Sequence, residues 1–198
     1  MPEPALILAS ASPRRRALLA MLGVDVEVRP AGVDEAALGH GLEAIEAAQR
    51  IARAKAAAIE DPDRPVLAAD TVVALDYAVL GKPTDRSEAA VMLRRQSGNA
   101  VQVVSCVALR LRSGDIDDRL AIATMRVADL AETTIAAYLD TGEADDKAGA
   151  LAVQGAAGAF VTVVDGARST VVGLPLSETI ELLTNAGIAV QDPRTAGL

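Results

Sequence analysis

The 198-residue chain has almost no aromatic side chains: no tryptophan, one phenylalanine (Phe160) and two tyrosines (Tyr77 and Tyr138). Its core must therefore be built from aliphatic residues, which are plentiful, because 51% of the chain is hydrophobic and Ala and Val dominate. That share, set against 23% charged residues, argues against disorder. Cys106 is the only cysteine, so no internal disulfide can form. It lies in the apolar run 103–111 without a His or basic neighbour and reads as a buried structural thiol rather than a reactive one. His40 is the only histidine, which excludes His-pair metal sites and argues against a Ser-His-Asp triad. No stretch reaches the roughly 18–20 apolar residues that span a bilayer. The start, Met1-Pro2-Glu3-Pro4, lacks a basic segment followed by an apolar one. A cytoplasmic protein without a membrane partner is expected. Positive charge is also in short supply, with a net charge of −8. Such a chain repels polyphosphate at long range, so nucleic acid is not an expected partner and any phosphate site must gather its basic residues locally.

The length suits one α/β domain over residues 1–198, or two lobes around a cleft. A chain of this size buries roughly 70% of its unfolded surface and needs no staple. Residues 6–9 read as a buried strand, followed by Ser12 as N-cap, Pro13 at the first helical position and a helix closed by Gly23. Residues 24–28 alternate as a second strand, 30–41 read as loop, and 42–59 form an Ala-rich helix. A strand over 66–75 is interrupted by Asp70-Thr71 and pairs with 78–80 through the turn Asp76-Tyr77. Helices are expected at 87–95, 133–139 and 176–183, and strands at 101–111, 121–130 and 160–164. Early alternation and later hairpins predict an α/β fold with a mixed β-sheet and flanking helices.

Chemistry is suggested at four places. At Ser10-Ala11-Ser12-Pro13-Arg14-Arg15, a helix start supplies unpaired N–H groups and the positive dipole end. The two hydroxyls and the guanidinium forks add donors suited to phosphate. The alternative is a capped helix with a solvated basic turn. Asp70, inside an apolar strand, needs a partner such as a divalent cation or a held water, unless it caps a turn. Gly81-Lys82-Pro83 presents a lysine from a tight bend; it is no P-loop, and alone it reads as a surface turn. In the segment 146–155, Asp146-Lys147 precedes small residues, and Gln154 offers a paired donor and acceptor for a base or ribose. The acids Asp34 and Glu35 follow the second strand and could share a metal with Asp70, while Lys55 alone reads as a snorkelling surface lysine.

As a set these residues resemble one family. Ser10-Ala11-Ser12-Pro13-Arg14-Arg15, Val33-Asp34-Glu35, Lys55, Ala69-Asp70-Thr71, Gly81-Lys82-Pro83, Asp146-Lys147-Ala148-Gly149-Ala150, Gln154-Gly155 and Val172-Gly173-Leu174-Pro175 stand in the order and spacing of the Maf proteins. The resemblance runs over nearly the whole chain. It implies an elongated two-lobed fold with a central cleft, similar to that of inosine triphosphate pyrophosphatases. It also implies a nucleoside triphosphate pyrophosphatase using Mg²⁺ or Mn²⁺, and a homodimer. By the same resemblance Asp70 matches the proton acceptor near the metal, and Asp34 an acidic position beside it. Ser10, Arg14, Arg15, Lys55 and Lys82 match triphosphate positions; Lys147 falls in a matching motif taken to bind substrate. Arg14, Thr71 and Gln154 match positions tied to substrate choice. The wording around Asp70 and Lys147 looks like the dTTP/UTP branch. A 7-methyl-GTP or non-standard purine pyrophosphatase is the alternative enzyme, and a non-catalytic nucleotide sensor for septum formation the alternative of another class. The chain departs from the pattern at Leu151, where an aromatic is frequent, at Ala152, Arg168 and Ser169, and at Val101, where His is frequent. Fewer aromatics mean less stacking surface for a base.

Overall fold

The fold grows from an unbroken pair of long strands that thread the whole molecule. The computed structural model describes residues 5–61 and 63–192, so the reading of Met1-Pro2-Glu3-Pro4 lies outside the described residues. The strands are β1 (Leu6–Leu8), β2 (Val26–Val28), β3 (Val66–Leu75), β4 (Ala78–Leu80), β5 (Ala100–Arg110), β6 (Ile116–Val127) and β7 (Val161–Asp165). The helices are α1 (Pro13–Met21), α2 (Glu35–Gly39), α3 (Ala44–Ala57), α4 (Arg86–Gln96), α5 (Glu132–Leu139), α6 (Arg168–Val172) and α7 (Leu176–Asn185). Among the described residues the strands form one seven-stranded sheet in the order β2-β1-β3-β5-β6-β7, with β4 pairing β3. β2, β1 and β3 run parallel, and the rest of the sheet is antiparallel, so the sheet is mixed.

The first half of β3 is covered on both faces, which explains its near-continuous apolar sequence. On one face α3 lays Ala47, Ala48, Ala52 and Ala56 against Ile7, Val66, Ala68, Val72, Val104 and Cys106. Small alanines let the helix backbone approach the sheet. On the other face Leu19 of α1 and Leu22 at its C-cap, with Ile180, Leu182 and Leu183 of α7, pack on Leu6, Leu8, Leu67, Val107 and Leu109. Each such leucine contributes about 1.5–3 kcal/mol on burial. The far halves of β3 and β5 enter a separate cluster with α4, α5, β6 and β7, including Val73, Leu75, Leu93, Val103, Met125 and Tyr138. Two lobes thus share two strands. The scarce aromatics sit in the second lobe: Tyr138 and Phe160 meet edge to face at 5.3 Å.

Two expectations are corrected, and one element is added. The loop 30–41 contains α2, because the Asp34 carboxylate accepts the Ala37 N–H at 3.0 Å and nucleates a short helix. β6 begins at Ile116 rather than 121, since its charged residues Asp117, Asp118 and Arg119 pair with the end of β5 despite their polarity. The segment after Gly166 carries α6, ended by Gly173 at φ 113°, a left-handed cap that favours glycine.

An ion-pair network ties β2 to the entry of β3. Arg64 reaches Asp61 at 2.9 Å and Glu27 at 2.6 Å, and Arg29 reaches both acids, Asp61 at 3.0 Å. The Arg64 hydrogen bond, with help from the Asp63 N–H and Arg29, holds the Asp61 carboxyl at about 2 against an ordinary 3.8. A carboxyl depressed in the folded state stabilises above its unfolded value, and that contribution disappears as pH falls through the folded value. The melting temperature is therefore expected to drop between about pH 4 and 2, and Asp61→Asn to flatten that part of the profile. Thermal melts across the window check this; an unaltered slope in the variant refutes it.

Candidate active site

A gap in the sheet places the site. β1 pairs with β3 only as far as Leu67, where the Ala9 N–H donates to the Leu67 carbonyl at 2.8 Å. β4 joins the same edge only at Val73. Between them Ala69, Asp70, Thr71 and Val72 have no strand neighbour on that side among the described residues, while β5 holds the other edge in register, Asp70 opposite Cys106 and Thr71 opposite Ser105. A cleft of about 700 Å³ opens onto this gap. Because successive strand residues point to opposite faces, Asp70 sits on the α3 face and Thr71 on the α1 face. Asp70 is buried on all but 6% of its surface.

Lys55 rises from α3 to meet Asp70. Its Nζ lies 2.7 Å from Asp70 Oδ1 and 2.7 Å from Glu35 Oε1. Lys82 Nζ reaches Glu35 Oε2 at 3.4 Å. Lys55 is buried, so it is no snorkelling surface group; its charge is matched by two carboxylates. Burial works to raise the Glu35 carboxyl, but the Lys55 hydrogen bond and the charges of Lys55 and Lys82 outweigh it, leaving it below its ordinary value. Among the described residues no protein hydrogen bond reaches Asp70 Oδ2, which leaves that oxygen for a ligand.

Opposite this acidic pair stands the start of α1. Ser12 caps it through a long contact, 3.5 Å, with the Arg15 N–H, and Pro13 fills the first helical position. Arg15 is pinned by three donations: Nε to the Gly173 carbonyl at 2.8 Å, Nη1 to Ser10 Oγ at 3.0 Å and Nη2 to Thr71 Oγ1 at 3.5 Å. Burial lowers the Arg15 pKa, and the charges of Asp70 and Glu35 counter part of that. Arg14 lines the same cleft.

The third wall is the segment 143–155. Tyr138 Oη donates to the Ala150 carbonyl at 3.0 Å and accepts the Ala152 N–H at 2.8 Å. Gln96 Nε2 donates to the Gly149 carbonyl at 2.7 Å, and the Gly149 N–H donates to Gly81 at 2.9 Å, beside Lys82. Gly149 holds φ 65°, and a Cβ there would meet Val73 at 3.0 Å, so a side chain would be strained twice over. These ties carry Lys147, paired with Asp146, and the exposed Gln154 to the cleft. The Lys147 hydrogen bond holds the Asp146 carboxyl below its ordinary value. Leu151, Val153, Val73, Val103, Met125 and Val171 give this end an aliphatic lining.

Ser10, Arg14, Arg15, Lys55, Asp70, Thr71, Lys82, Lys147 and Gln154 therefore converge on one cleft. Asp34 does not line it. As the N-cap of α2 it spends its carboxylate on Ala37 and stays exposed, and the next residue, Glu35, turns inward instead. Asp is among the residue types favoured at an N-cap, which the reading of 30–41 as loop did not use. Ser105 and Gln96 were not read from sequence, because a buried polar residue inside a strand or helix carries no visible partner until the chain is folded; Glu143, in a turn beside the cleft, was not read either.

Among the described residues no group of three or more His, Cys, Asp or Glu converges for a metal. Asp70 and Glu35 form a two-carboxylate donor set, and Mg²⁺ is commonly held by one or two carboxylates plus substrate phosphates and water. The residues present fit a hard divalent cation of that kind.

The family model described as Maf-like protein matches residues 5–186. A protein of Anaeromyxobacter sp. named dTTP/UTP pyrophosphatase is 50% identical over 186 residues, covering 92% of this chain and 89% of that protein. One of Hyphomonas neptunium with the same name is 47% identical over 183 residues, covering 92% and 95%. Among solved structures, a HAM1 protein from Coxiella burnetii aligns with a TM-score of 0.44 at 15% identity, over 91% of this chain and 96% of that one. Across nearly all of its folded length, and through the segments that build the cleft, the chain belongs to the family of Maf-like proteins.

Proposed function

We propose that this protein hydrolyses dTTP and UTP to the monophosphate and pyrophosphate. The observation that carries the reading is the facing of a lysine-anchored carboxylate, Asp70, by the arginine-bearing start of α1 across a single cleft. The choice of base is supported by relatives named for dTTP and UTP.

In this mechanism the triphosphate lies along Ser10, Arg14, Arg15 and Lys82, where guanidinium and ammonium donors and the N–H groups of α1 receive its oxygens. Asp70 Oδ2 accepts a proton from a water, whose oxygen attacks the α-phosphorus. The bond from the α-phosphorus to the bridging oxygen breaks, and pyrophosphate leaves with its charge offset by the basic groups. Lys55 holds Asp70 in place through the 2.7 Å contact with its Oδ1. Asp70 and Glu35 would hold a divalent cation, Mg²⁺ or Mn²⁺, which supplies charge neutralisation at phosphate oxygens. A cytoplasmic location and a homodimer belong to the same proposal and rest on the family resemblance.

A panel of nucleoside triphosphates with Mg²⁺ or Mn²⁺, with products resolved as pyrophosphate or orthophosphate, tests the reading. UTP and dTTP are expected to turn over fastest and release pyrophosphate. Preference for 7-methyl-GTP or a non-standard purine would overturn the base assignment. Binding without turnover of any nucleotide would favour a nucleotide-sensing regulator of septum formation.

A further inference from the structure

Beneath the cleft runs a hydroxyl chain whose donor sense is forced. Ser105 is completely buried in β5. Its Oγ lies 2.8 Å from the Thr170 carbonyl of α6 and 2.8 Å from Thr71 Oγ1. A carbonyl cannot donate, so the single Ser105 proton is committed to Thr170. The Thr71–Ser105 contact then needs the proton of Thr71. Thr71 is left with lone pairs only, in agreement with Arg15 Nη2 approaching it as a donor at 3.5 Å.

Thr71 stands where the two halves of the cleft meet. On one side lie Arg14 and Arg15 of α1 and, across the open edge of β3, Asp70; toward the second lobe, Val73 and Val103 continue the Thr71–Ser105 face of the sheet, joined by Met125 and Leu151. An uncharged planar ring fits the aliphatic side, and the polyphosphate fits the charged side. Resting on the pyrophosphatase reading above, we infer that Ser105 is a positioning residue that locks the Thr71 hydroxyl as a hydrogen-bond acceptor for the imide N3–H of uracil and thymine. Cytosine presents a lone pair at the same ring position, so against this hydroxyl it meets lone pair to lone pair. Without Ser105 the Thr71 proton is released, and the hydroxyl can turn and donate to cytosine.

The experiment compares kcat/KM for UTP and CTP in the wild type, Ser105→Ala and Ser105→Thr, with a thermal melt of each. Ser105→Ala is expected to lower the UTP-to-CTP ratio by about tenfold, the scale of one hydrogen bond. Ser105→Thr, which keeps the hydroxyl, is expected to restore it. Should the added methyl of Ser105→Thr prevent folding, Thr71→Ser against Thr71→Val reads the same ratio from the cleft end. Equal losses on both nucleotides, with the ratio unchanged, would show Ser105 to be structural and overturn the inference. Wild-type failure to hydrolyse UTP and dTTP would instead sink the pyrophosphatase reading, so the two failures are distinct.

Discussion

Replacing Asp70 with Asn is expected to lower kcat for UTP by about 10²–10⁴-fold, the usual contribution of a positioned general base. The amide keeps the shape of the side chain and an oxygen for Lys55, and Lys55 keeps Glu35 as a charge partner 2.7 Å away. The fold should therefore survive, and the melting temperature should move far less than the rate. The geometry gives the effect its size: Oδ1 is occupied by Lys55, so Oδ2 alone is available to take a proton. Pyrophosphate release measured beside circular dichroism melts would separate chemistry from stability. Near-wild-type turnover by the variant would remove Asp70 from the reaction.

Lys55→Met is expected to cost about 3 kcal/mol of stability, the low end for stripping one partner from a buried ion pair. The low end applies because Glu35 is half exposed and can take water, whereas Asp70 is enclosed. For a domain of this size the melting temperature should fall by about 6–12 °C. Activity should fall too, since the carboxylate that accepts the proton loses its anchor. The Lys55 hydrogen bond and charge help hold the Glu35 carboxyl below its ordinary value, so the variant should be penalised most near neutral pH and less in acid, where protonation removes the uncompensated charge. A deficit that stays constant from pH 7 to 4 would contradict this account, as would a variant as stable as the wild type.

These expectations rest on features of unequal visibility in the sequence. β3 was legible at both ends, Val66 and Leu75, because a run of small and β-branched residues is bounded by Pro65 and the Asp76-Tyr77 turn. Both turn residues take positive φ, 49° and 66°, as a tight hairpin demands. The first turn of α1 was legible from Ser12 and Pro13. The start of β6 was not, because the charged run Asp117, Asp118 and Arg119 pairs its backbone with β5 while Asp117 points to solvent and Asp118 is met by Gln49 and Arg53 of α3. Lys55 misled in isolation: an Ala-rich helix says which stripe is buried, not that a lysine in it will find two acids on other elements.

The sequence by itself determined the parts: an aliphatic mixed-sheet fold, a helix start bearing arginines, an acid inside an apolar strand, a lysine in a tight bend, and a family pattern spanning them. It determined these because hydrophobic periodicity, caps and turns are local. Tertiary structure decided the arrangement: that β1 stops short of β4 and leaves Asp70 and Thr71 on an open edge, that Glu35 and not Asp34 enters the cleft, and that Lys55 is shared between two carboxylates. It alone also set the direction of the Thr71–Ser105–Thr170 chain. The reason is physical: charge pairing and hydrogen-bond sense depend on distances between segments far apart in the chain, and those distances exist only once the two lobes have closed around the strands they share.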